Sequence, residues 1–309
     1  MKLFRAFAVA STVLGFLVAV LGSWVRINDA GLTCPDWPLC HGQLVPALRG
    51  GVVLEWSHRL VAFVETFLVG GAIVTGWRER SQVAGVTPAL GALGVIFALQ
   101  VSLGGATVFL ANNPLSVTLH WAMGMALVAT LAALAVLAVV APQPVRPRAG
   151  GGGGKALAVA ACCAFATMCL GAYVSSSHAG LACAAFPACG ATLLGSGAPQ
   201  AAQMLHRAAG LVFACAAAFA TLGALQNGSP GVKRFALGGF GLLAIQIALG
   251  AANVAWQLPS TLRELHAANA GATFLAFVIA ARLAALEPQA ARERTAERVP
   301  ASRRIPSSA

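Results

Sequence analysis

Charge is scarce in this 309-residue sequence: 9% of the residues are Asp, Glu, Lys or Arg, and only 9 are acidic. A soluble domain carries about 25% charged residues, so water is excluded as the main solvent of the fold. Strict alternation of apolar and polar residues is also missing, which excludes the strands of a membrane barrel. What the chain has instead is apolar length, with 58% hydrophobic residues. Runs of about 20 apolar residues, enough to cross a bilayer, fall near 6–25, 53–76, 88–111, 115–141, 156–175, 201–225, 234–256 and 260–286. Backbone groups in hydrocarbon must be satisfied within their own segment, so an all-α integral membrane protein with eight transmembrane helices is expected.

A net charge of +11 would suggest nucleic acid in a soluble chain, but here it reads as topology, and the expected surroundings are membrane lipid with no nucleic acid partner. Fifteen of the twenty basic residues, from Lys2 and Arg5 through Arg78, Arg80, Lys155 and Lys233 to Arg304, fall at the chain ends or in the even-numbered connections. The positive-inside rule then places both termini in the cytoplasm of a multi-pass protein of the cell inner membrane. The first apolar run resembles a signal peptide, yet it is long and lacks a small-residue cleavage site, so its retention is expected.

Internal repetition organises the chain. Gly22, Val25, Gly31, Leu32, Cys34, Pro38 and Cys40 recur at a shift of 149 as Gly171, Val174, Gly180, Leu181, Cys183, Pro187 and Cys189. His58-Arg59 returns at a shift of 148 as His206-Arg207, and Gln100, Leu103, Gly104 and His120 return at 146 as Gln246, Leu249, Gly250 and His266. Two tandem four-helix bundles follow, and their even number of spans predicts a pseudo-twofold axis along the membrane normal. The expected units are a first half at 1–141, a Pro, Arg and Gly linker at 142–154, a second half at 155–286 and a basic cytoplasmic tail at 287–309.

The repeat gives the histidines their meaning. His58, His120, His206 and His266 each sit just inside an apolar run that enters from the external side. A histidine in hydrocarbon is costly unless it binds a metal or a polar partner. One imidazole from each of two neighbouring helices is the axial ligand set of a heme iron, so each half offers one heme pocket. The competing reading is four core histidines bonded to nearby oxygens. Arg59 and Arg207 follow two of these ligand candidates and suit heme propionates, which arginine binds bidentately, or else they anchor at the lipid headgroups.

Cys34 with Cys40 and Cys183 with Cys189 lie in external loops at matched spacing. An oxidising compartment permits a disulfide in each, while the Cβ geometry is not readable from sequence. Cys-x-x-Cys-His is absent, so any heme is expected to be noncovalent. Cys162, Cys163, Cys169 and Cys215 read as small apolar residues, His41 and His178 as loop residues, and Gln100 and Gln246 as interhelical hydrogen-bonding groups.

Where the halves differ, chemistry is sought. Glu55-Trp56-Ser57-His58-Arg59 stands opposite Gln203-Met204-Leu205-His206-Arg207, so only one half keeps a carboxylate beside its histidine. Three residues apart on a helix, Glu55 and His58 share a face, which suits proton transfer near a heme edge. A salt bridge from Glu55 to Arg59 is the alternative. Glu65, matched by Phe213, is a second intramembrane acid, either functional or bonded to a neighbouring helix.

The ordered set Gly31-Leu-Thr-Cys-Pro-Asp-Trp-Pro-Leu-Cys40, Glu55-x-x-His58-Arg59, His120, Cys183 to Cys189, His206-Arg207 and His266 resembles the heme A synthase family over nearly the whole chain. That resemblance implies an oxidoreductase that converts the C8 methyl of heme O to the formyl group of heme A, the cofactor of terminal cytochrome oxidases. It implies substrate heme on His58 and His120, a resident heme b on His206 and His266, and Glu55 as the required carboxylate. It also implies a Cys34–Cys40 disulfide with a redox role, whereas Ala184, Ala185 and Phe186 in place of Pro35, Asp36 and Trp37 set the second loop apart. A heme O synthase and a homo-oligomer are the protein partners this reading allows. The competing functions are a diheme b-type cytochrome that moves electrons without modifying heme, and a heme carrier.

Overall fold

Helix ends in this chain are set by polar atoms at the bilayer surfaces. In the computed structural model, which describes residues 1–140, 152–189 and 195–286, eight long helices run as α1 (Lys2–Ile27), α2 (Gly51–Arg78), α3 (Val86–Phe109), α4 (Pro114–Val140), α5 (Gly152–Ser176), α6 (Ala198–Asn227), α7 (Pro230–Ala255) and α8 (Ser260–Leu286). All eight are long and apolar enough to span a membrane, and no strand occurs among the described residues. The chain is a multi-pass, all-helical membrane protein.

Helix α1 takes in Lys2 and Arg5, because basic side chains at a helix end can reach water along their own stems. Arg5 Nε donates to the Ala138 carbonyl at 2.7 Å, tying α1 to α4. Asn113 Oδ1 caps α4 by accepting from Ser116 N at 2.9 Å, and Ser229 does the same for α7, whose first residue is Pro230. The last three residues of the expected linker, Gly152–Gly154, open α5. The rest of that linker and the expected tail at 287–309, including Arg292 and Arg304, lie outside the described residues.

Helices in lipid gain little from hiding apolar surface, so they associate through small residues that let backbones approach. Ala160, Ala164, Ala217, Ala220, Ala224, Ala236 and Ala280 are buried between helices, while Phe63, Phe67 and Phe219 point outward, the last 74% exposed. The packing repeats as the sequence does. Helices α1–α2, α1–α4, α2–α3 and α3–α4 touch in the first half, and their counterparts α5–α6, α5–α8, α6–α7 and α7–α8 touch in the second. Across the seam, α4 lies on α5 and α1 on α8, with α4 against α8 between them. Backbone detail repeats too. Asp29 and His178, 149 residues apart, both adopt positive φ, as do Ala111-Asn112 and Gln257-Leu258 at the 146 shift.

The seam is tight at Gly271 of α8, where an added Cβ would stand 3.0 Å from the Phe16 ring and 3.3 Å from Met125 Cε. At Gly241 of α7 an added Cβ meets nothing within 4 Å. Gly271→Val is therefore expected to destabilise the fold by about 1–3 kcal/mol through overpacking, and Gly241→Val to leave it nearly unchanged. Thermal unfolding of the two variants in detergent measures the contrast.

Candidate functional site

Each of the four histidines rests against a glycine of the preceding helix. A Cβ on Gly22 of α1 would fall 2.8 Å from His58 Cε1 of α2, and one on Gly171 of α5 would fall 2.8 Å from His206 Cε1 of α6. Gly104 of α3 and Gly250 of α7 stand in the same relation to His120 of α4 and His266 of α8, each at 3.2 Å. The space for the rings exists only because these positions lack a side chain. All four imidazoles lie within the first turns of α2, α4, α6 and α8, at the membrane face that carries the disulfide loops.

In the second half, the His206 and His266 rings meet edge-on, with centroids 6.5 Å apart and planes inclined at 74°. An iron bound at about 2 Å by a nitrogen of each ring would place the centroids roughly 6 Å apart, so the pair fits bis-imidazole ligation. Both rings line one cavity of about 820 Å³, within the range that encloses a small-molecule cofactor. His206 Nδ1 lies 3.0 Å from the Thr167 carbonyl, which can only accept, so that nitrogen carries the proton and Nε2 the lone pair. A relay fixes His266. The Asn269 amide donates to the Leu242 carbonyl at 2.9 Å and to Gln246 Oε1 at 2.7 Å, which turns the Gln246 amide nitrogen toward His266 Nε2 at 3.1 Å. His266 Nε2 therefore accepts from Gln246, whose amide would have to turn aside for that lone pair to reach a metal, and His266 Nδ1 is buried without a hydrogen-bond partner. The two rings share the neutral tautomer a metal needs.

The first half holds its pair differently. His58 and His120 lie close enough to interact, with the Val18 and Gln100 backbone beside them as Thr167 and Gln246 stand beside the second pair, and Nδ1 of each, like that of His266, is buried without a hydrogen bond of normal geometry. Met123 occupies the position equivalent to Asn269, and Gln100 Oε1, the counterpart of the Gln246 oxygen, is buried and unbonded. What the first half lacks is the Asn269–Gln246 relay and the short bond that His206 makes to the Thr167 carbonyl.

Above each pair sits a disulfide loop. Cys34 is joined to Cys40 and Cys183 to Cys189. Glu55 is 4% exposed, and its Oε2 accepts from Cys34 N at 2.8 Å and the Thr33 hydroxyl at 3.0 Å while Oε1 pairs with Arg59 at 2.5 Å. Gln203 makes the matching bond, its Oε1 accepting from Cys183 N at 2.7 Å, and its amide donates to the Gly180 carbonyl at 2.8 Å. Arg59 donates to the carbonyls of Asp36, Leu39 and Cys34 at 2.6, 2.5 and 3.2 Å. Arg207 donates to those of Ala185, Pro187 and Ala188 at 2.8, 2.9 and 3.0 Å and stacks on Phe186. Both arginines grip the loops, although Arg207 also lines the second-half cavity.

Similarity to known proteins bears directly on this arrangement. The family model for the cytochrome oxidase assembly protein family (COX15-CtaA) matches residues 5–278, a stretch that contains both disulfide loops and all four histidines. This chain belongs to that family. It is similar to the heme A synthase of Bacillus pumilus, with 32% identity over 219 residues that cover 67% of this chain and 70% of the relative. The heme A synthases of Symbiobacterium thermophilum and Geobacillus thermodenitrificans are 30% and 29% identical over 222 and 227 residues, covering 67% and 71% of this chain and 71% of each relative. Membership of this family implies heme binding, and the matched rings and cavity of the second half fit such a group.

Several site residues escape sequence reading. The glycine seats were visible only as members of a repeat, and nothing in a lone glycine says that a ring lies against it. Asn269 has no repeat partner to draw attention to it. Arg26 and Arg263 also line the second-half cavity, although each reads as an ordinary interfacial arginine. Glu65 is 3% exposed with both carboxylate oxygens unbonded, Oε1 standing 3.3 Å from where a Cβ on Gly15 would be.

Two outcomes are expected. Gly171→Val should drive the His206 ring from its seat and lower retained heme at least tenfold, whereas Gly223→Val, which meets nothing within 4 Å, should not; absorbance of the purified proteins reads the difference. The second concerns Asp36, whose carboxyl accepts from Gly42 N at 2.8 Å and His41 N at 2.6 Å and is held below the usual carboxylate range by those bonds, that from Gly42 first. A depressed carboxyl stabilises the folded loop above its unfolded value and loses that contribution as pH falls. Reduction of Cys34–Cys40 by a phosphine should therefore accelerate below about pH 4, while Cys183–Cys189, with Ala185 in the matching place, should not respond.

Proposed function

We propose that this chain is a heme A synthase of the cell inner membrane, oxidising the C8 methyl of heme O to the formyl group of heme A. Residues 1–141 form the substrate half, with His58 and His120 as axial ligands of heme O. Residues 155–286 form the electron-transfer half, with His206 and His266 as ligands of a resident heme b. The halves are related by a pseudo-twofold axis along the membrane normal, with both termini, the linker at 142–154 and the tail at 287–309 in the cytoplasm. A heme O synthase is the natural donor of so insoluble a substrate.

One observation carries this reading: Glu55 and Gln203 make the same bond to the cysteine N–H of their loops, so loop architecture does not require an acid. The carboxylate in the first half is then present for its chemistry. Conversion of a methyl to a formyl group withdraws electrons and releases protons, and Glu55 is the first-half group placed to take a proton at a carboxylate oxygen. Arg59 orients that carboxylate while fixing the loop above the pocket, and Arg207 has the equivalent loop role in the second half; each guanidinium is also a candidate contact for a heme propionate. Heme b, when bound, supplies one-electron transfer. Around it, Thr167 fixes His206 with Nε2 as its lone-pair nitrogen, while Gln246, held by Asn269, steadies the His266 ring and would have to release its Nε2 to the iron. The first-half pair lacks the Asn269–Gln246 relay, as suits a substrate that must enter and leave.

Mass analysis of hemes extracted after expression with a heme O source tests the reading, and a product carrying the formyl group is expected. Unmodified heme alone would instead identify a diheme cytochrome. Glu55→Gln should keep the loop and both hemes but lower heme A formation by about 100-fold or more, the scale of a lost proton-transfer group. His206→Ala should lose the resident heme spectrum.

A further inference from the structure

The cavity that holds His206 and His266 has a charged end built from both halves of the chain. Arg26, at the end of α1 in the first half, and Arg263, one turn before His266 on α8, both line it. Where the other copy of the repeat has the matching positions, it carries Ser175 and Val117. This pair of cations therefore belongs to the divergence of the halves.

Their surroundings leave them under-compensated. Arg26 donates to the Ser175 hydroxyl, and Arg263 donates to the Ile27 carbonyl at 3.4 Å. Neither forms an ion pair with a carboxylate among the described residues. The two guanidiniums lie close enough to repel each other, with Glu264 and Asp29 as the nearby acids. Both Glu264 carboxylate oxygens are buried without a hydrogen-bond partner, so they do not close on either arginine. Arg207, by contrast, is engaged by loop carbonyls.

The cavity is itself amphipathic. Its loop-side end carries Arg26 and Arg263, its middle the two imidazoles, and its deep end Phe213, Leu243 and Ala270. A porphyrin has the same polarity, with two propionates on one edge and apolar substituents on the other. Resting on the reading of this cavity as a heme site, we infer that Arg26 and Arg263 form a carboxylate clamp, one arginine from each half, for the propionate edge of the heme held by His206 and His266. Guanidinium and carboxylate match in shape and charge, and the buried seam strengthens the pairing. The second-half site is then incomplete without the first half.

The test compares the full-length protein, stripped of heme, titrated with ferric heme b and with its dimethyl ester, followed by the Soret band. Wild type should bind the free acid at least tenfold more tightly than the ester. Arg26→Gln and Arg263→Gln should each narrow that gap and lower the midpoint potential of the second-half heme, because removing a nearby positive charge favours the more positive ferric iron over the ferrous. Arg26→Lys should recover part of both effects. Equal binding of acid and ester by wild type, with an unchanged potential in the glutamine variants, would overturn the clamp while leaving the heme site standing. Failure of wild type to give any bis-imidazole spectrum would instead overturn the reading of the cavity. Should a glutamine variant not fold, Arg26→Ser and Arg263→Val, which install the residues of the other copy, take its place, and an unchanged acid-to-ester gap in both overturns the clamp.

Discussion

An imidazole inside a bilayer must have both room and a partner, and this structure is arranged around supplying them four times. Room comes from subtraction: Gly22, Gly104, Gly171 and Gly250 each leave the volume of a side chain to a ring on the next helix. Partnership comes from carbonyls and amides on those same helices, most completely in the second half, where Thr167 and the Asn269–Gln246 relay hold two rings in one tautomer. Helix spacing follows from this pairing of ring with glycine, and the cavity between the rings follows from the spacing.

Much of the fold was legible because the bilayer imposes simple rules. Eight apolar runs became eight helices whose ends differ from expectation by a few residues, chiefly at Lys2 and Pro230, where side-chain length and capping rather than hydropathy decide the boundary. The histidines were legible through repetition, since one histidine in an apolar run says little and four at matched positions say much. The rest required coordinates. That Arg59 and Arg207 reach up to loop carbonyls depends on how the loops fold back, and that fold-back rests on Gly31 and Gly180 lying against Asn112 and Leu258. The Asn269 relay depends on helix rotation, which apolar periodicity in a two-sided membrane helix does not define.

Divergence after duplication is graded by depth. The ring seats and the glycines beneath them are the same in both halves, as are the disulfides. Above them the loop acid becomes an amide at Gln203, and beside them Asn269 is met by Met123. What changes is the loop carboxylate and the side chains around the rings; what stays is the glycine seat beneath each ring.

One contact says something about descent. Arg26 touches Ser175, and the two occupy the same place in their respective copies. A residue that meets its own counterpart stands where the two copies face themselves. In an assembly of two identical chains, arginine at that spot would confront a second arginine, and serine would meet serine. With the two copies carried in one polypeptide and diverged, the position holds a cation on one side and a hydroxyl on the other, a pairing that two identical subunits related by symmetry could not adopt.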